Sequence, residues 1–121
     1  MKHNKERAES FLKTAGLGRV AEGFEKYIAT KFIHHNQYFE GSREALLNAM
    51  QEDHNTNPNV AIEIKSCFSD ADKVITHSLV TKESMQIAVV HIFRFQNSKI
   101  VELWDLAQII EKDSPNKNGF F

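Results

Sequence analysis

After Pro58 the hydrophobic period of this chain changes from 3.6 to 2 and does not change back. Upstream of that point apolar residues recur at helical spacing. Ala8, Phe11, Leu12 and Ala15 fall on one face of a helix over residues 3–15, which Gly16 and Gly18 interrupt. Val20, Phe24, Tyr27 and Ile28 mark a second helix near 19–30. Ser42 is an N-cap, with Glu44 in the first turn, for a third helix running to about Asp53 and burying Ala45, Leu46, Ala49 and Met50. Between the last two helices, 31–35 is short enough to be extended, and 36–41 reads as a loop.

Downstream, Val60, Ile62 and Ile64 alternate with Ala61, Glu63 and Lys65, the period of a strand. Ser69 to Asp72 reads as a turn. Lys73–Thr81, Gln86–Gln96 and Lys99–Ile110 read as three further strands, the last two joined at Asn97-Ser98. No segment of helical length separates these strands, which excludes a parallel α/β sheet. Three helices followed by a run of antiparallel strands predict one α+β domain over residues 1–121, with helices on one face of a curved sheet.

Composition limits what such a domain does. Lys plus Arg number 15 and Asp plus Glu 16, a net charge of −1 with no footprint for nucleic acid or an anionic membrane. No stretch approaches the roughly 20 apolar residues that span a bilayer, and the charged N-terminus lacks a signal peptide's apolar run. The lone Cys67 excludes an internal disulfide and a cysteine-based structural zinc site, and suits the cytoplasm.

Candidate chemistry concentrates in the hairpin from Met85 to Ile110. The Gln86–Gln96 strand is apolar on both faces, with His91 on the face of Val89, Phe93 and Phe95. A strand apolar on both sides needs cover on both, helices on one and a second subunit on the other. Whether His91 shares a face with Asp105 depends on the turn. A two-residue turn at Asn97-Ser98 sets His91 opposite Trp104, with Asp105 facing away. A three-residue turn with a bulge at Ser98 sets His91 opposite Leu103, with Asp105 a diagonal neighbour about 7–8 Å away. The missing glycine in Gln96-Asn-Ser-Lys favours the second register.

In that register a carboxylate and an imidazole share an apolar face, where burial would raise the carboxyl pKa towards neutrality. The alternative is structural: Asp105 bonds backbone or the Trp104 indole, and His91 is a satisfied core residue. His77 lies among apolar neighbours. His34 and His35 would point opposite ways, one into the core and one into water. His35, His77, His91 and Asp105 suit a metal chemically, but come from separate elements without HxxxH or HxH spacing.

Several segments resemble SnoaL-like proteins of the NTF2-like superfamily. Tyr27-Ile28 with Phe32-Ile-His-His35-Asn36 resembles the family's Y-I-x-H-N region, and Val74-Ile-Thr-His77-Ser its middle strand. Ala88-Val-Val-His-Ile-Phe-Arg-Phe-Gln-Asn-Ser-Lys-Ile-Val-Glu-Leu-Trp-Asp105 resembles its closing hairpin, and Asn116-Lys-Asn-Gly-Phe-Phe its ending. The resemblance spans about residues 20–121. It implies a cone-shaped α+β barrel, three N-terminal helices packed on a strongly curved, mostly antiparallel sheet, commonly a homodimer through that sheet.

It also implies polyketide-cyclase-like chemistry: an intramolecular aldol condensation with no cofactor and no metal. Asp105 maps to the family's acid/base and His91 to a pocket histidine. His35, Asn36 and His77 would line the same cavity, with Tyr27, Phe93 and Leu103 completing the substrate-binding wall. The chain departs from the family where His91 replaces an aspartate, Leu103 a histidine, Ser98 the turn glycine and Gln37 a proline. The leading expectation is therefore an aldol-condensation or isomerase-type enzyme for a small carbonyl compound. The alternatives are a non-catalytic dimer whose pocket binds a small apolar ligand, and a dimeric interaction module with a vestigial cavity.

Overall fold

The computed structural model describes residues 2–121. Three helices, α1 (Lys2–Ala15), α2 (Val20–Tyr27) and α3 (Arg43–Thr56), pack on a five-stranded sheet. The strands are β1 (Ile28–His35), β2 (Asn59–Asp70), β3 (Lys73–Lys82), β4 (Gln86–Gln96) and β5 (Lys99–Ile109). Their order is β1-β5-β4-β3-β2. Only β1 pairs in parallel, with β5; the other neighbours are antiparallel. The α+β architecture read from the change of period is the one observed.

The helices carry their predicted faces inward, with one exception. Ala8, Phe11, Leu12 and Ala15 of α1 are buried, as are Val20 and Phe24 of α2. Phe11 meets Phe24 edge-on at 5.7 Å and Phe93 at 6.4 Å, joining two helices to β4. Of the residues expected inward on α3, only Leu46 is fully buried; Ala45, Ala49 and Met50 stay half-buried, because α3 packs beside β1 and α2 rather than across the sheet. Its N-cap is as read: Ser42 Oγ accepts from the Ala45 N–H at 3.1 Å.

Three boundaries differ from expectation. Helix α2 stops at Tyr27 because Ile28 is already extended and pairs with Ile100. Helix α3 continues through His54 to Thr56, ending just before the Pro58 that no helix could pass. Strand β2 runs on to Asp70, and Ala71, at φ +53°, takes the left-handed turn position.

The β4–β5 register is neither of the two weighed from sequence. Asn97 and Ser98 both adopt positive φ, 53° and 65°, so the turn is the tight two-residue kind without glycine. Asparagine tolerates that conformation by local hydrogen bonding. Gln96 then pairs with Lys99 and Phe95 with Ile100, but Arg94 pairs with Glu102. Val101 is an extra residue, a bulge, and it shifts everything beyond it by one. The result sets His91 directly opposite Asp105.

Gly18, in the α1–α2 turn, sits at φ +117°, and a Cβ there would come within 2.4 Å of the His54 ring. Gly18→Ala is expected to cost about 1–2 kcal/mol from backbone strain and displacement of that ring. Urea unfolding of the variant measures it as a lowered midpoint at constant slope.

Candidate functional site

β1 supplies a residue that the family resemblance passed over. Ile28, Phe32 and His34 point under the helices and are buried. The loop after the strand folds back tightly: the His34 N–H donates to Gly41 O at 2.9 Å. A side chain at Gly41 would meet the His34 carbonyl oxygen at 2.6 Å, so glycine permits that approach. The His34 ring lies between Phe39, 5.4 Å away, and Phe32, 6.4 Å away, and its side chain has no exposed surface.

His34 Nε2 lies 2.7 Å from Asp105 Oδ2. Asn36 Nδ2 donates to Asp105 Oδ1 at 2.6 Å, and Asn36 Oδ1 accepts from the Tyr38 N–H at 2.8 Å, which fixes the amide. Both carboxylate oxygens are thus held from β1 and its loop. An ionised carboxylate only accepts, so Nε2 of His34 carries the proton of that bond. A neutral His34 ring then presents Nδ1 as a lone pair, and Nδ1 is buried with no protein partner.

His91 stands beside Asp105 on the neighbouring strand, stacked on Phe93 at 5.7 Å. Its Nδ1 is also buried without a partner. Thr76 continues the row on β3, opposite His91, and the hydroxyls of Thr76 and Ser78 are buried and unpartnered too. Buried polar atoms are nearly always hydrogen-bonded in folded proteins. Four unpartnered ones, Nδ1 of His34 and His91 and the hydroxyls of Thr76 and Ser78, gather on the helix-facing side of the sheet.

The electrostatics correct one expectation. Burial does push the Asp105 carboxyl up, and it is the largest single influence; the hydrogen bond and charge of His34, the amide of Asn36 and the charge of His91 together outweigh it. Asp105 therefore lies below its ordinary value, not above it, and is an anion at neutral pH. Burial drives His91 down to about 4, against an upward pull from Asp105 and with a further downward push from His34. At neutral pH its imidazole is uncharged.

Of the residues singled out from sequence, Asp105, His91, Asn36, Phe93 and Leu103 come together here, Leu103 pairing with both Phe93 and His34. His35 does not. It projects to the outer face, stacked on Trp104 at 4.7 Å and bonded to Glu102 at 2.6 Å. His77 is also on the outer face, against the Phe121 ring at 4.5 Å. The four residues weighed as metal ligands are thereby split between two faces. Tyr27 lies under the Arg7 guanidinium and lines a separate recess with Glu6 and Glu9. His34 was legible in principle: it shares strand parity with Phe32.

Solved structures show the same fold. The chain resembles AclR from Streptomyces galilaeus with a TM-score of 0.76 at 20% identity, covering 90% of this chain and 81% of that one. An NTF-2 like protein from Burkholderia xenovorans LB400 gives 0.75 at 13%, over 94% and 89%. An LEH-like epoxide hydrolase from M. tuberculosis gives 0.71 at 14%, over 88% and 84%. No curated protein matches the sequence. No helix among the described residues is long and apolar enough to cross a membrane. Residues 7–111, which carry the whole His34–Asp105–His91 centre, match the family model of the SnoaL-like polyketide cyclases, and the chain belongs to that family.

Proposed function

We propose that this protein is a cofactor-independent enzyme that moves a proton on a small carbonyl compound, in an aldol-condensation or isomerase-type reaction. The observation that carries this reading is the His34–Asp105–Asn36 centre beside His91, with ring nitrogens free of protein partners. Each carboxylate oxygen keeps a second lone pair after its one hydrogen bond. The Asp105 side chain is 20% exposed, which supports access from solvent.

In the proposed step Asp105 takes the proton α to the carbonyl, and the electron pair moves onto the carbonyl oxygen as an enolate. A neutral His91 donates its single N–H to that oxygen, which costs less charge separation than an imidazolium would in a buried site. The enolate carbon then attacks a second carbonyl, or is reprotonated elsewhere, and the proton on Asp105 returns. His34 orients the carboxylate throughout.

The second reading is a binding protein that holds a small apolar carbonyl ligand without converting it. The depressed pKa of Asp105 favours it, because a carboxylate so well held is a weaker base. Exchange of α-protons into D2O, followed by NMR over a panel of ketones and 1,3-diketones, separates the two. The enzyme reading expects exchange with the native protein and only buffer-level exchange with a folded Asp105→Asn variant. Ligand-induced shifts without exchange select the binding reading.

The outer sheet face, where Ile33, Ile75 and Leu106 are exposed, supports a homodimer through the sheet. The lone cysteine supports a reducing compartment such as the cytoplasm. A monomeric mass by light scattering at micromolar concentration removes the dimer from this proposal.

A further inference from the structure

A groove of about 940 Å³ opens around β1, and none of Asp105, His34, Asn36 or His91 lines it. Its origin is an interruption in the sheet. Between Ile28 and Ile33 β1 advances five residues while β5 advances only from Ile100 to Glu102. The same stretch of β5 carries the bulge at Val101. The segment 29–32 therefore bows away from β5, and the gap is walled by Phe24, Ile28, Phe32 and Leu47 on its apolar side. Bulges that persist at such a point re-aim side chains rather than merely disturb a ladder.

Four cations line this gap: Lys31, Arg43, Arg94 and Lys99. Only Arg94 meets a carboxylate, Glu102 at 2.8 Å. Arg43 donates to Phe24 O, and Lys99 to the carbonyls of Glu25 and Lys26, all at the C-terminal end of α2. Those carbonyls offset part of a charge. They leave donors over: Arg43 spends one N–H there, and its Nε is buried with no partner. Lys31 is exposed and forms no ion pair among the described residues. Glu25 is the one acid in the lining, set against three cations without a carboxylate partner.

We propose that this groove is a second ligand site, for a small organic anion: a carboxylate or phosphate group against Lys31, Arg43 and Lys99, with an apolar body over Ala29, Leu47 and Val101, which line the groove and keep exposed surface. Helix capping accounts for part of the hydrogen bonding of Arg43 and Lys99. It does not account for an exposed Lys31 beside them or for the unpartnered Nε of Arg43. The proposal is independent of the chemistry at Asp105.

Titration of the 15N-labelled protein with octanoate tests it, with inorganic phosphate as a probe that has charge but no apolar body. Octanoate is expected to shift the amides of residues 29–33 and 99–101, saturating below about 20 mM. Lys31→Glu should weaken that binding at least fivefold, and Arg43→Gln about tenfold, the loss of one charged hydrogen bond. Asp105→Asn should leave it unchanged. Lys31→Glu touches no contact of the fold, so the test survives if Arg43→Gln fails to fold. Absence of shifts in these segments overturns the proposal. So does binding that ignores Lys31→Glu, binding lost with Asp105→Asn, or phosphate binding as tightly as octanoate.

Discussion

Lowering the pH from 6.5 towards 4 is expected to cost this fold about 3 kcal/mol through His91 alone. His91 titrates at about 4 in the folded chain against an ordinary 6.5. The unfolded chain therefore binds a proton in that window which the folded chain refuses. Stability rises with pH wherever the unfolded state binds more protons, so the fold loses stability as pH falls through the window. The gap between about 4 and 6.5, less the part still to be lost below pH 4 where the folded ring is half protonated, gives a magnitude of about 3 kcal/mol. The groups facing His91 are Asp105, which pulls its pKa up, and His34, which pushes it down; burial dominates both. Asp105 also has a depressed pKa, but its contribution is lost only below the ordinary carboxylate range, so the two separate along the pH axis. Urea unfolding at pH 7, 5.5 and 4.5 should show a steep loss for the native chain. His91→Phe, which extends the stack on Phe93, should flatten it by most of that amount. Parallel curves for the two proteins would show that another group carries the acid sensitivity.

That pKa, like the site itself, comes from contacts distant in sequence. Local pattern was sufficient for the buried face of α1, for the Ser42 cap and for the limits of β4, because each rests on spacing within a few residues. The three-residue turn that the missing glycine favours does not form, because Asn97 with Ser98 adopts the tight turn without one. The bulge at Val101 belongs to the same stretch where β1 leaves β5, a pairing that spans some seventy residues of chain and leaves no local trace. Without the bulge a two-residue turn would have turned Asp105 away from His91. The exchange of His35 for His34 has a similar cause: adjacency to Asn36 suggested His35, while strand parity with Phe32 selects His34. The direction of the Asp105 shift was hidden for the same reason. Burial alone raises a carboxyl, and the partners that reverse this stand 71 and 69 residues away.

Asp105→Ala is expected to destabilise the protein by about 3 kcal/mol at pH 7, the cost of breaking a buried pair from one side. His34 has no exposed side-chain surface, and its Nε2–H would lose its only protein acceptor. Asn36 would lose its acceptor as well. His34→Ala should cost somewhat less on the hydrogen-bonding side, about 2 kcal/mol, because Asp105 retains Asn36 and some exposure to water. The double variant should fall short of the sum by about 1.5–3 kcal/mol, a coupling expected only of groups in direct contact. Asp105→Asn behaves differently. Its amide oxygen still accepts from His34, but its NH2 then faces the Asn36 Nδ2 donor, so it should cost about 2 kcal/mol, less than the alanine, and leave a folded chain. The cycle is read from urea midpoints of the four proteins. Additive costs would mean that the 2.7 Å contact carries no energy and that Asp105 is not held by His34. A measured coupling, together with a folded Asn variant, separates the carboxylate's charge from its structural role. Loss of proton exchange in Asp105→Asn then reports on the base alone, since the fold and the hydrogen bond to His34 both persist.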